Sequence, residues 1–139
     1  MAVSIVASTG VFDAAAEQAI MARVFAALLA ATDATDNEAV ASMVGVTLHV
    51  APAGRMTMGG RQTSSVHIDV AVPAIALGSF RRRRRFIADA TDAVVDLSSD
   101  PTIRDRVIVQ IFNSVDGGLG VGGRALTNDE LDEGPEETS

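Results

Sequence analysis

Apolar residues alternate with small or polar ones from Ala2 to Ser8 (AVSIVAS), the period-two pattern of a strand with one covered face. Over residues 12–32 the period changes. Ile20, Val24, Leu28 and Ala31 recur at spacings of four, four and three, which predicts a helix with Asp13 as its N-cap. TDATDNEA reads as a turn region. Alternation returns in MVGVTLHVA, residues 43–51, which runs into the Gly-rich PAGRMTMGG, the mark of a hairpin or bulge.

The same order then recurs. SSVHIDVAVP, residues 64–73, predicts a strand with Val66, Ile68, Val70 and Val72 on one face. Residues 79–97 predict a helix with Ile87, Ala90, Val94 and Leu97 on one face. RVIVQIF, residues 106–112, predicts a strand that also ends in glycines. An offset of 63 places Gly59 on Gly122, Val46 on Val109, Leu48 on Ile111, Val3 on Val66 and Ile5 on Ile68. The chain therefore reads as two tandem βαβ units, about residues 2–61 and 65–124, in one domain of residues 1–131. The expected fold class is α+β, one four-stranded sheet with two helices on one face. Residues 132–139 form an acidic C-terminal tail.

GLGVGG, residues 118–123, matches the G-x-G-x-x-G pattern of a dinucleotide-binding turn. That turn needs a strand before the glycines and a helix N-terminus after them, opening a βαβ unit. Here the glycines close a unit, and RALTNDELDEGPEETS is too short for another. They are the counterpart of RMTMGG in the first half and predict a hairpin. No cofactor is expected.

Tandem βαβ units that each end in a Gly-Gly hairpin resemble the tautomerase superfamily. This is the group of 4-oxalocrotonate tautomerase, macrophage migration inhibitory factor and the haloacrylic acid dehalogenases. The stretches that carry the resemblance are HVAPAGRMTMGGR, VHIDVAVPAIAL and RVIVQIFNSVDGGLGVGGRALTNDEL. The resemblance implies a homotrimer with sheets inward and helices outward. It also implies a catalytic N-terminal proline, exposed by loss of the initiator Met, whose amine acts as general base or acid in an apolar pocket.

This chain has Ala2 where that proline would stand. A processed Ala2 would offer a primary amine with an ordinary pKa of ~7.7–8.0. Where family arginines bind a carboxylate, this chain has Phe12, Ile75, Gly45 and Ile108. Gln110 takes the place of the pocket Tyr or Asn and cannot act as an acid.

Composition narrows the chemistry. All 11 basic residues are Arg, and there is no Tyr and no Cys. That removes Schiff-base, phenol-acid and thiolate chemistry, and any disulfide scaffold. The net charge of −7 and an aromatic content of 4% argue against nucleic-acid binding. No apolar stretch approaches the ~20 residues that span a bilayer, so no membrane association is expected. The N-terminus lacks a basic n-region, so a cytoplasmic location is expected.

The candidate site residues follow. Ala2 is the candidate catalytic amine. Arg55, Arg61 and Arg124 flank the Gly-rich hairpins and could hold an anionic ligand, with Gln110 polarising a carbonyl. One strand face collects Ser4, Thr47, His49, His67, Asp69 and Gln110, which reads as a hydrated interior rather than a metal site, so no metal is expected. FRRRRRF, residues 80–86, reads as solvated helix surface, with the Arg83 stem along the core edge. Two functions remain. One is a proline-less trimeric module that binds a small anionic or carbonyl ligand, or serves in assembly, with little tautomerase activity. The other is a keto–enol tautomerase or related isomerase of small carbonyl acids that uses the Ala2 amine.

Overall fold

The computed structural model describes residues 1–133. The acidic tail expected at residues 132–139 therefore lies largely outside the described residues. The first half forms β1 (Ala2–Ser8), α1 (Ala14–Ala31), a short α2 (Glu38–Ala41), β2 (Gly45–Ala51) and a hairpin of β3 (Thr57–Met58) and β4 (Arg61–Gln62). The second half forms β5 (Val66–Pro73), α3 (Phe80–Leu97), a 3-10 turn (Ile103–Arg106), β6 (Val107–Ser114), a hairpin of β7 (Leu119–Val121) and β8 (Arg124–Leu126), and α4 (Asn128–Glu133).

The fold is α+β. The main sheet has the order β2-β1-β5-β6. β2 runs parallel to β1 and β6 parallel to β5, while β1 and β5 meet antiparallel. The central pairing sets Ile5 opposite Ile68 and Val3 opposite Val70. Odd positions of β1 and even positions of β5 are buried against the helices, as the alternation requires. Ile20, Val24 and Leu28 of α1 and Phe86, Ala90 and Val94 of α3 complete this core, each at most 1% exposed. Each large side chain of that set contributes about 1.5–3 kcal/mol through burial.

Asp13 caps α1, its carboxylate accepting from the Ala16 amide at 2.8 Å. Ser79 caps α3 in the same way, accepting from Arg82 N at 3.1 Å. Both hairpins turn on a Gly-Gly pair with positive φ: Gly59 and Gly60 at 58° and 77°, Gly122 and Gly123 at 62° and 81°. Two consecutive left-handed residues suit a tight hairpin with right-twisted strands. The glycines of GLGVGG are thus turn residues.

Three expectations need correction. β2 starts at Gly45 rather than residue 43, because Met43 N and Val44 N bond back to Val40 O and Ala41 O. The core face of α3 is Phe86, Ala90, Ala93 and Val94, whereas Ile87 is 39% exposed. The larger ring at 86 takes the core position expected of Ile87, while Ala90 and Val94 stay on the buried face. Finally, α1 is by length and composition alone apolar enough to cross a membrane. Here its Ile20, Val24 and Leu28 are packed in the core of the domain.

Candidate functional site

Met1 extends the line of β1 by one residue. Its carbonyl accepts from the Gly45 amide at 2.9 Å. Its α-ammonium donates to Met43 O at 2.8 Å. The residue is buried, and that burial pushes the basicity of the amine below its ordinary value of 8.0.

A cavity of about 300 Å³ opens beside this terminus. Val40, Pro73, Ile75, Ala76 and Leu131 give it apolar walls, and Arg82 with Asp33 gives it a charged rim. The Arg82 guanidinium donates to Asp33 Oδ2 at 2.9 Å and to Ala76 O at 3.2 Å. Asp33 is the one non-glycine with positive φ, 55°, among the described residues. It follows the C-terminus of α1, where Thr32 Oγ1 donates to Leu28 O at 2.8 Å. The cavity thus joins apolar walls and Met1 to one guanidinium, Arg82, which is held by the Asp33 carboxylate. It suits a small ligand with an apolar body and one anionic end.

The second unit has no equivalent amine. The 63-residue offset puts Ser64 and Ser65 where Met1 and Ala2 stand. Ser65 N donates to Ser8 Oγ at 2.9 Å and Ser65 O accepts from Ser8 N at 3.0 Å. Ser65 is fully buried, and its hydroxyl has no partner among the described residues. Beside it lies a smaller, polar cavity of about 230 Å³, with Ser8, Thr9, Met56, Gln62 and Ser64 in its walls.

The residues singled out from sequence lie apart in the single chain. Ala2 is exposed on β1, opposite Gly45 and Ala71, and its nitrogen is a peptide nitrogen behind Met1. Arg61 is on β4 of the first hairpin, and Arg55 lies in the loop between β2 and β3. Gln110 is exposed in the middle of β6, opposite Asp69. Arg124 lies on β8 and pairs with Glu130 at 3.0 Å. None of the five lines the cavity at Met1. Met1, Arg82 and Asp33 do, and sequence reasoning missed all three. The clue to Arg82 was the arginine run itself, whose members point in different directions every ~100°.

The chain matches no family model and no curated protein. Solved structures do match. A native fused 4-OT aligns with a TM-score of 0.74 at 20% identity, over 90% of this chain and 95% of that one. A wild-type fused 4-OT described as a symmetric trimer aligns at 0.75 and 16% identity, over 94% and 98%. Macrophage migration inhibitory factor of Toxoplasma gondii aligns at 0.69 and 18% identity, over 91% and 100%. Likeness at this level of identity concerns architecture, and it spans nearly all of each chain. The chain has the fold of the 4-OT and macrophage migration inhibitory factor structures.

Proposed function

We propose that this protein is a homotrimeric binding module for a small anionic or carbonyl ligand, with little tautomerase activity. One observation carries the reading: Ala2, not a proline, opens β1 next to Met1 at the terminal cavity. A secondary amine is absent there. The Arg82 guanidinium supplies anion binding at the same cavity, where it already bonds Asp33 and Ala76 O. Loss of a general base costs ~10²–10⁴ in rate.

The trimer rests on surfaces that one chain leaves unfinished. Among the described residues, β2 and β6 are open edges of the main sheet, and each hairpin pairs only with itself. Open edges recruit further strands, and isolated two-stranded hairpins are marginal. Phe112, on the sheet face away from the helices, is 52% exposed. Several of the similar fused 4-OT structures are described as trimers. In the trimer Arg55, Arg61 and Arg124 reach a neighbour's pocket on their hairpins, and Gln110 faces the interior.

The second reading is an isomerase of small carbonyl acids that uses the Ala2 amine. It requires removal of Met1. The test joins intact mass to a tautomerisation assay with phenylenolpyruvate and 2-hydroxymuconate. The binding-module reading predicts little activity in the parent protein and a gain of at least tenfold in Ala2→Pro after Met1 removal. Robust activity in the parent, abolished when Met1 is forced to stay, would establish the isomerase instead.

A further inference from the structure

Five of the 11 basic residues stand consecutively in the first turns of α3, in a chain of net charge −7. The terminal cavity uses only Arg82. Arg83 and Arg84 belong to a different feature. Phe80, Arg84, Ile87 and Thr91 follow one another at spacings of four, three and four, so they form one stripe along the helix. Ile111 of β6 and Arg104 lie across from that stripe, and the groove between holds about 550 Å³. Phe80 is 70% exposed and Ile87 39% exposed. Arg104 is neutralised by Asp92 at 2.8 Å. Arg83 donates only to the Leu77 carbonyl, at 2.9 Å, and no carboxylate pairs with Arg83 or Arg84 among the described residues.

We propose that this groove docks an acidic peptide segment of a partner protein, with apolar side chains on Phe80, Ile87 and Ile111 and carboxylates on Arg83 and Arg84. Its shape favours a linear occupant. At 1.5 Å per residue the stripe from Phe80 to Thr91 is about 16 Å long, three helical turns. Its chemistry sets the sign of the partner: the floor is apolar, and the uncompensated charges are guanidiniums, which prefer carboxylates in paired geometry. A basic segment would meet those guanidiniums directly, and like charges at a docking surface are repulsive. The groove runs along α3 on the helix side of the sheet, beside the edge strand β6.

The experiment uses the full-length protein and fluorescein-labelled twelve-residue peptides read by anisotropy. One peptide alternates Glu and Asp with Leu and Phe; its counterpart carries Lys at every acidic position. The acidic peptide is expected to bind, and to bind at least tenfold more weakly in 0.5 M NaCl and to Arg84→Glu. Phe80→Ser is expected to weaken it at least fivefold. Both variants alter exposed side chains, and unchanged melting curves verify that they fold. Absence of binding to the parent protein, or equal binding to Arg84→Glu, overturns the proposal. So does equal binding of the Lys peptide. Vesicles containing phosphatidylserine serve as a second arm: sedimentation with them that Arg84→Glu abolishes, without peptide binding, makes the surface a lipid contact and overturns it. An assembly larger than a trimer that dissolves in Arg84→Glu makes the occupant a second copy and overturns it as well.

Discussion

The α-ammonium of Met1 donates to the carbonyl of Met43 at 2.8 Å, two residues before the point where β2 begins to pair with β1. The terminal amine is thereby part of the sheet's first rung. Burial lowers its pKa from 8.0, so between the lowered value and 8.0 the unfolded chain holds more protons than the folded one. Stability then rises with pH across that window and falls as pH drops through the folded pKa. Acylation of the amine at graded pH, read by peptide mass, should give an apparent pKa below 8.0 in the folded protein and near 8.0 in urea.

Arg82 is the side chain whose loss should weaken ligand binding most. It brings a guanidinium to the cavity at Met1, and Asp33 and Ala76 O hold it in place. A charged hydrogen bond contributes about 1.5–3 kcal/mol, so Arg82→Ala should lower affinity for a small carboxylate at least tenfold. Calorimetric titration checks this. Asp33→Asn should not weaken it, because the amide oxygen can still accept from Arg82 while the competing negative charge is removed.

Phe86 is fully buried where α3 meets the sheet. Phe86→Ala should destabilise the fold by about 3–5 kcal/mol, read by denaturant melts at fixed protein concentration. Ile87→Ala should cost far less, since Ile87 is already 39% exposed.

Gly123 has φ of 81°, and a Cβ there would meet nothing within 4 Å. The cost of Gly123→Ala is therefore conformational, about 1–2 kcal/mol, and Gly123→Asn should cost less. If the hairpins join subunits, sedimentation should show the trimer of Gly123→Ala dissociating at higher protein concentration than that of the parent.

Most of the architecture was legible in the residues. The valines of β5 and the isoleucines at 5 and 68 announce a sheet covered on one face, and the 63-residue offset announces its internal repeat. The exchange of Ile87 for Phe86 in the core was not legible, because both are apolar and only packing volume chooses between them. The cavity at Met1 was hidden for another reason. Its parts come from the end of β5, the turn after α1, the first turns of α3 and the terminus, which no spacing rule links. Arg82 was masked by four identical neighbours.

The central claim is that the terminal cavity binds a small carbonyl acid without moving its protons. Proton NMR of phenylpyruvate in D2O, with stoichiometric protein whose mass shows Met1 in place, reads both halves at once. Broadened ligand lines, which mark binding, are expected together with deuterium entry at the carbon next to the carbonyl no faster than in buffer. Exchange accelerated a hundredfold or more would contradict it and make the protein an enzyme; sharp ligand lines with unaccelerated exchange would contradict the binding half.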